Sequence, residues 1–318
     1  MQSCSTYGAG FHAYEKGFLQ VAVSTAYRKP KKLTFSDLLQ LAGLTISSLL
    51  YYLYFFSACM FWVVLTTCVG ALLLPLDKEG RVVHHLTCAL GYHLVAINPR
   101  WRCRFENMEL LDRNKTYVFV ANHQSMADPL VLSGLRARYK WIAKAPIFKI
   151  PGVGLLMRIN RYICVEHGSV KSVRSMIVAG RRFLSQGLSV FIFPEGTRSE
   201  DGNLMQFKDG PFKLACDTDT PVLPVVLEGT RYLLPRGRWI LNFDTEITVR
   251  VLPPVYPVEF GLDPSSLRRY VRSLIETELQ SIRQEASQRA PAGVRPHIAV
   301  PILQPIQIIG SDGVERPA

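Results

Sequence analysis

Thirty-nine consecutive positions, those between Asp37 and Asp77, carry no Asp, Glu, Lys or Arg. A chain with such a segment must bury it in a large core or place it in lipid. As one helix rising about 1.5 Å per residue it would be roughly 58 Å long, against a hydrocarbon core of about 30 Å. One straight span does not use it up. The segment is expected either to cross once with an interfacial extension or to dip in and return as a hairpin. No Gly or Pro lies between Leu44 and Val69, which works against the hairpin; Ser47-Ser48 or Ser57-Ala58 would host its bend. The basic Arg28-Lys29-Pro30-Lys31-Lys32 cluster places the N-terminal side in the cytosol by the positive-inside rule. A folded body on that same side brings the hairpin back. A secretory signal fits poorly, because the run starts late, is too long and has no supported cleavage site.

The remaining composition agrees with a membrane setting. The 318 residues hold 37 Lys and Arg against 25 Asp and Glu, a net charge of +12, and 48% are hydrophobic. Excess base calls for an anionic partner such as nucleic acid, anionic lipid or a phosphorylated substrate. No zinc-finger or RRM-type pattern supports nucleic acid. The seven cysteines are scattered, with no Cys-x-x-Cys pair, and read as reduced packing residues rather than a disulfide frame or a metal knuckle. His84, His85 and His93 lie in the next apolar stretch, Val82 to Ala96, with no acidic companion; an amphipathic, interfacial linker is expected there in preference to a metal site. No metal and no cofactor are expected.

The expected organisation is an N-terminal cytosolic segment (1–37), a transmembrane or hairpin helical anchor (38–76), an interfacial linker (77–100), a catalytic domain (101–288) and a flexible tail (289–318). Within the body, Tyr117–Val120, Lys140–Ala143, Tyr162–Val165, Leu188–Phe193, Val222–Leu227 and Ile247–Leu252 are rich in β-branched and aromatic residues and read as strands. A helix is expected from Pro129 to Leu135, and helical pieces between Pro146 and Asn160 broken by Pro151, Gly152 and Gly154. Helical spacing recurs from Val170 to Leu184, with Gly187 as a stop, and again after Asp263-Pro264 through Leu267, Val271, Leu274 and Ile282. Alternating strands and helices predict an α/β fold with a mixed, largely parallel sheet flanked by helices, beside the N-terminal membrane-embedded segment. Open α/β sheets place ligands at the C-terminal ends of their strands.

Two polar runs fall at such ends. The first is Asn122-His123-Gln124-Ser125-Met126-Ala127-Asp128. An imidazole accepts a hydroxyl proton near neutral pH, and a carboxylate five residues on, across a strand-to-helix turn, is placed to orient it. No nucleophilic Ser or Cys is required if the acceptor hydroxyl itself attacks. Alone, His-x4-Asp is also what chance or a capped surface histidine produces. The second run is Phe193-Pro194-Glu195-Gly196-Thr197-Arg198-Ser199. Gly196 permits close backbone approach, Arg198 can hold a phosphate through paired hydrogen bonds, and Glu195 would orient Arg198 or bind a glycerol hydroxyl. A tight turn with a solvated Glu/Arg pair is the bland reading of that run.

In combination, the two runs resemble the 1-acylglycerol-3-phosphate acyltransferase family of glycerolipid acyltransferases. Asn122, His123, Gln124, Ser125 and Asp128 match its first block, and Phe193 to Ser199 its third at every position. Val222-Leu223-Pro224-Val225 is similar to its fourth. Lys144 to Gly152 looks like the approach to the second. The resemblance covers roughly Trp101 to Leu252. In the second block His167 stands where the family has an arginine thought to hold the acceptor phosphate; Arg158, Arg161 or Lys144 would have to compensate, or the acceptor differs. Asp209 follows Lys208 where a second lysine is common.

The resemblance implies a membrane-bound O-acyltransferase, in a bacterial inner membrane or ER-type membrane with its catalytic domain on the cytosolic side. His123 and Asp128 would be catalytic; Asn122, Ser125, Lys144, Glu195, Gly196, Thr197 and Arg198 would bind substrate. Its partners would be a lyso-phospholipid acceptor, acyl-CoA or acyl-carrier protein, and membrane lipids. Rival readings are acylation of another lyso-lipid, a thioester or ester hydrolase, and a non-catalytic membrane adaptor.

Overall fold

The computed structural model describes residues 34–289 except 74–75, 78–79 and 167–169. The expectations for the N-terminal segment, His167 and the tail from 290 therefore lie outside the described residues. The chain divides into two compact units after Ala42. Of the first, the described part opens helix α1 (Phe35–Leu72). A reciprocal cap starts it: Asp37 N donates to Thr34 Oγ1 (3.2 Å) and Thr34 N to Asp37 Oδ2 (2.9 Å), so two orphan donors of the first turn are satisfied.

The second unit, from Gly43, holds the rest of α1 and the α/β body. Phe35–Leu72 is one continuous helix that runs through Ser47-Ser48 and Ser57-Ala58, so the chain does not turn back at either place. Without Gly or Pro between Leu44 and Val69, nothing interrupts the backbone ladder. This helix is long and apolar enough to cross a membrane. It is apolar on its outward side as well as where it packs. Ser48, Cys59, Val63 and Thr66 are buried, while Leu49, Leu50, Leu53, Met60, Phe61 and Val64 are exposed.

Helix α2 (Arg81–Ala96) corrects the expected linker. It is packed into the body through Val83, His84, Cys88, Leu90, Gly91, Leu94 and Val95. A Cβ on Gly91 would stand 2.5 Å from Ser133 Oγ, so this approach requires glycine. His84 is a core histidine: its Nε2 faces Ala137 O and its Nδ1 the Tyr162 hydroxyl, each at 2.9 Å. Burial pulls its pKa down to about 4, and it packs as a neutral ring.

Seven strands follow: β1 (Trp101–Glu106), β2 (Val118–Ala121), β3 (Tyr139–Lys144), β4 (Ile163–Val165), β5 (Ser189–Ile192), β6 (Val222–Glu228) and β7 (Thr245–Val251). They form one sheet in the order β1-β7-β6-β2-β5-β3-β4. Every pairing is parallel except β6 with β7, so the sheet is mixed and largely parallel. Alternation divides the central strands between two cores. Phe119, Ala121, Phe191, Leu223 and Val225 face one side, where Tyr51 and Tyr52 of α1 also pack. Val118, Val120, Val190, Val222 and Val226 face the other. That second face is covered by α5 (Val170–Ser185), α6 (Gly210–Thr218) and α8 (Pro264–Arg289). On α8 the buried stripe is Leu267, Val271, Ile275, Leu279 and Ile282, each contributing about 1.5–3 kcal/mol by leaving water. Short helices α3 (Asp128–Leu132), α4 (Val153–Ile159) and α7 (Thr230–Leu233) complete the body. Three connections between parallel strands deliver chain to one edge, at the C-terminal ends of β2, β3 and β5.

Candidate active site

Both polar runs leave the sheet there, on adjacent strands. β2 is buried at all four positions and pairs with β5 on one side and β6 on the other. Just past β2, the Asn122 amide takes over from the ladder. Its Nδ2 donates to Leu227 O at 2.7 Å and its Oδ1 accepts from Leu227 N at 2.8 Å. The side chain is buried and both ends are committed to the backbone, so Asn122 anchors the loop.

His123 follows. Its Nδ1 is 2.7 Å from Asp128 Oδ2, and the same oxygen accepts from Gln124 N (2.7 Å) and Ser125 N (2.9 Å). Asp128 is fully buried at the start of α3. Because the carboxylate only accepts, Nδ1 carries the proton and Nε2 is left as the acceptor. Phe193 lies parallel to the imidazole, 4.0 Å between centroids and 11° between planes, and Trp141 stacks behind Phe193. Ring plane and tautomer are thus both fixed. Ser125 is also internal: its hydroxyl donates to Leu234 O at 2.8 Å and accepts from Ala127 N. It braces the loop.

Glu195 corrects a second expectation. It neither orients Arg198 nor faces the mouth. Its two carboxylate oxygens accept from His123 N (2.8 Å) and Met205 N (3.0 Å), so it clamps the histidine loop to the segment after the second run. Ser199 N, donating to His123 O at 2.8 Å, closes the same joint from the other direction. Burial pushes the Glu195 carboxyl up to about 7, against the two backbone donors that favour its anion.

The second run turns at Gly196, φ +68°, where a Cβ would stand 2.8 Å from Lys208 Nζ. The lysine lies across the space that glycine leaves open. Arg198, Thr197 and Lys144 are half-buried at the mouth. Arg198 is held down from its usual basicity by burial and by Arg236; Lys144 by burial and by Lys208, Arg236 and Arg198. Four cations therefore share one mouth. Of these, Lys144 and Arg198 were expected at the site from the sequence. Lys208 was noted only for its neighbour, and Arg236 and Phe193 were missed. Phe193 lies inside the quoted run, so its place beside the histidine strand was the available signal; nothing in the local sequence around Arg236 pointed to the site. Among the described residues no cluster of three or more His, Cys, Asp or Glu could hold a metal ion.

A buried carboxylate, an oriented imidazole whose Nε2 has no partner among the described residues, and a cation-lined mouth are the parts that general-base chemistry on an anion needs. The class follows from the match of the Acyltransferase family model to residues 102–228, from β1 to the end of β6. The chloroplastic 1-acyl-sn-glycerol-3-phosphate acyltransferase BAT2 of Brassica napus is 35% identical over 182 residues, 57% of this chain and 52% of that protein. The 1-acyl-sn-glycerol-3-phosphate acyltransferase beta of Homo sapiens is 31% identical over 242 residues, 72% of this chain and 84% of that one. The crystal structure of the 1-acyl-sn-glycerophosphate acyltransferase from Thermotoga maritima superposes with a TM-score of 0.64 at 29% identity, covering 76% of this chain and 98% of that chain. The chain belongs to the 1-acyl-sn-glycerol-3-phosphate acyltransferase family. It spans about half the length of the chloroplastic relatives it matches.

Proposed function

We propose that the protein moves a fatty acyl chain from an acyl thioester, acyl-CoA or acyl-carrier protein, to the sn-2 hydroxyl of 1-acylglycerol-3-phosphate, giving phosphatidic acid. The observation that carries this reading is the imidazole of His123, fixed by Asp128 and Phe193 in the loop joined to the run that carries Arg198, one of four neighbouring cations. Nε2 takes the proton of the sn-2 hydroxyl as its oxygen bonds to the thioester carbonyl carbon. The tetrahedral intermediate collapses, the carbon–sulfur bond breaks, and the thiolate leaves with the proton that the imidazolium returns. Asp128 stabilises that imidazolium. General-base help supplies about 10²–10⁴-fold; holding both substrates in line supplies much of the rest. Arg198, with Lys144, seats the acceptor's phosphate, and Thr197 lies beside it.

The outward apolar face of α1 embeds the protein at a bilayer, where both lipids reside. At about 1.5 Å per residue, the 38 residues of α1 extend about 57 Å. The stretch from Ser48 to Thr66 turns its inner face to the body, so the bilayer is met by the side of this helix. The catalytic domain is on the cytosolic side, and no cofactor beyond the donor substrate takes part.

The test is acyl transfer by the purified full chain from one acyl-CoA to a panel of acceptors. Preference for 1-acylglycerol-3-phosphate is expected. A preference for a zwitterionic lyso-lipid overturns the acceptor, and acyl release that needs no acceptor overturns transfer in favour of hydrolysis.

A further inference from the structure

The segment from Leu234 to Leu241 is bonded to both polar runs and to α1. Leu234 O accepts from Ser125 Oγ in the histidine loop (2.8 Å), and Arg236 Nη1 donates to Arg198 O in the second run (2.8 Å). Further on, Trp239 O accepts from the Tyr52 hydroxyl (2.7 Å) and Leu241 N donates to Ser48 Oγ (2.9 Å), both on α1. The segment is a strap hung from the apolar helix at one end and fastened to both polar runs at the other. Trp239 is half exposed on it, an amphipathic ring of the kind that settles at a membrane interface.

We propose that Arg236 recognises the phosphate monoester of the acceptor lipid, closing a ring of cations with Lys144, Arg198 and Lys208. This rests on the acceptor reading given above. The charge balance of the mouth motivates it. Among the described residues the side chains of Lys144, Arg198 and Lys208 make no hydrogen bond or ion pair. Asp128 and Glu195 are buried, and the hydrogen bonds they make go to His123 and the loop backbones. Arg236 has one acidic partner, Glu200 at 3.0 Å, whose side chain is 79% exposed. An exposed pair of this kind holds little energy, so Glu200 is readily exchanged for a doubly charged phosphate.

Position adds to charge. The strap ends on α1, so Arg236 lies on the chain segment that joins the helix proposed to meet the bilayer to the mouth. Its guanidinium presents paired donors that match phosphate oxygens, which neither lysine of the ring can do. Its Nη1 bond to Arg198 O also couples the two arginines, so phosphate held by one sets the loop carrying the other.

The experiment measures binding apart from turnover. Affinities of wild type, Arg236→Gln and Arg236→Lys for 1-acylglycerol-3-phosphate, lysophosphatidylcholine and CoA are read from thermal shifts in detergent micelles, with KM for each substrate alongside. Arg236→Gln is expected to weaken binding of 1-acylglycerol-3-phosphate about tenfold to a hundredfold, the loss of a charge-assisted contact. Arg236→Lys, which keeps the charge and loses the paired donors, is expected to fall between, and it serves as the readout if the Gln variant does not fold. Unchanged affinity for 1-acylglycerol-3-phosphate overturns the proposal. So does a loss that falls on CoA, or a drop in kcat at constant affinity, which would mark Arg236 as only a brace for Arg198. Arg236-dependent binding in a protein that transfers no acyl group to this lipid supports the proposal and overturns the reaction.

Discussion

Asp128→Asn isolates what the carboxylate's charge does for His123. In the wild type three donors converge on Oδ2: His123 Nδ1, Gln124 N and Ser125 N. Oδ1 is buried with no partner among the described residues. An asparagine that sets its oxygen at the Oδ2 position keeps all three bonds, and with them the tautomer of His123. Its nitrogen then occupies the unpartnered Oδ1 position, a buried donor that costs about 1–3 kcal/mol of stability. The catalytic loss is separate. Two unit charges about 4 Å apart at an effective dielectric constant of about 20 attract by about 4 kcal/mol, which the variant forfeits only when the imidazolium forms. Each 1.36 kcal/mol is tenfold in rate, so kcat should fall by about 10²–10³-fold. Asp128 is fully buried, so KM for either substrate should hold. The assay is steady-state acyl transfer, with a melting curve showing that the variant is folded. A kcat within about tenfold of wild type would refute the claim that this carboxylate stabilises a charged histidine. A raised KM with kcat unchanged would refute it equally.

Glu195 makes stability depend on pH with a stated sign. Its folded pKa of about 7 lies above the ordinary 4.5, so the folded protein holds its proton more tightly than the unfolded chain. That contribution is complete below about pH 4.5 and is lost as pH rises through about 7, up to roughly 3 kcal/mol in all. Denaturant unfolding across this window should show a flatter pH slope in Glu195→Gln than in wild type, and equal slopes would contradict the assignment. The same variant replaces one acceptor oxygen by a donor facing a backbone N–H, so its transfer rate should fall as well. On α1, Leu50→Glu with Leu53→Glu places two charges on the outward face, where these side chains are 61% and 67% exposed. Flotation with lipid vesicles should weaken by at least about tenfold, given a cost of about 2–3 kcal/mol or more per charge in lipid, while the melting temperature in detergent stays put. Unchanged flotation would remove α1 from the membrane contact.

Much of this arrangement is legible in the amino-acid sequence. The six expected strands form because β-branched and aromatic runs fit a sheet buried on both faces, and Val118–Ala121 and Val222–Glu228 are buried throughout. β1 was not foreseen. Trp-Arg-Cys-Arg-Phe-Glu alternates charge with apolar residues at the sheet edge, where one face meets water, and so lacks the apolar run that marks the inner strands. α6 was hidden because it opens with Gly210-Pro211, a pair that reads as a turn, although proline in a first helical turn is tolerated. His123 and Asp128 were legible because their spacing across a strand-to-helix turn sets their contact locally. Asn122, Ser125 and Glu195 were read as substrate ligands because sequence shows a polar side chain but not its partner. Those partners, Leu227, Leu234 and Met205, are supplied by distant segments. Arg236 escaped for the same reason, since only the fold brings its strap to the mouth.

Turnover of His123→Ala tests the central claim most directly. The purified variant is given acyl-CoA and 1-acylglycerol-3-phosphate in vesicles, and phosphatidic acid is measured against wild type at matched vesicle binding. Loss of the base should lower the rate by about 10²–10⁴-fold, with vesicle binding retained because α1 is untouched. Phosphatidic acid formed at near wild-type rate would mean that the proton leaves by another route and that the site has been assigned to the wrong residue.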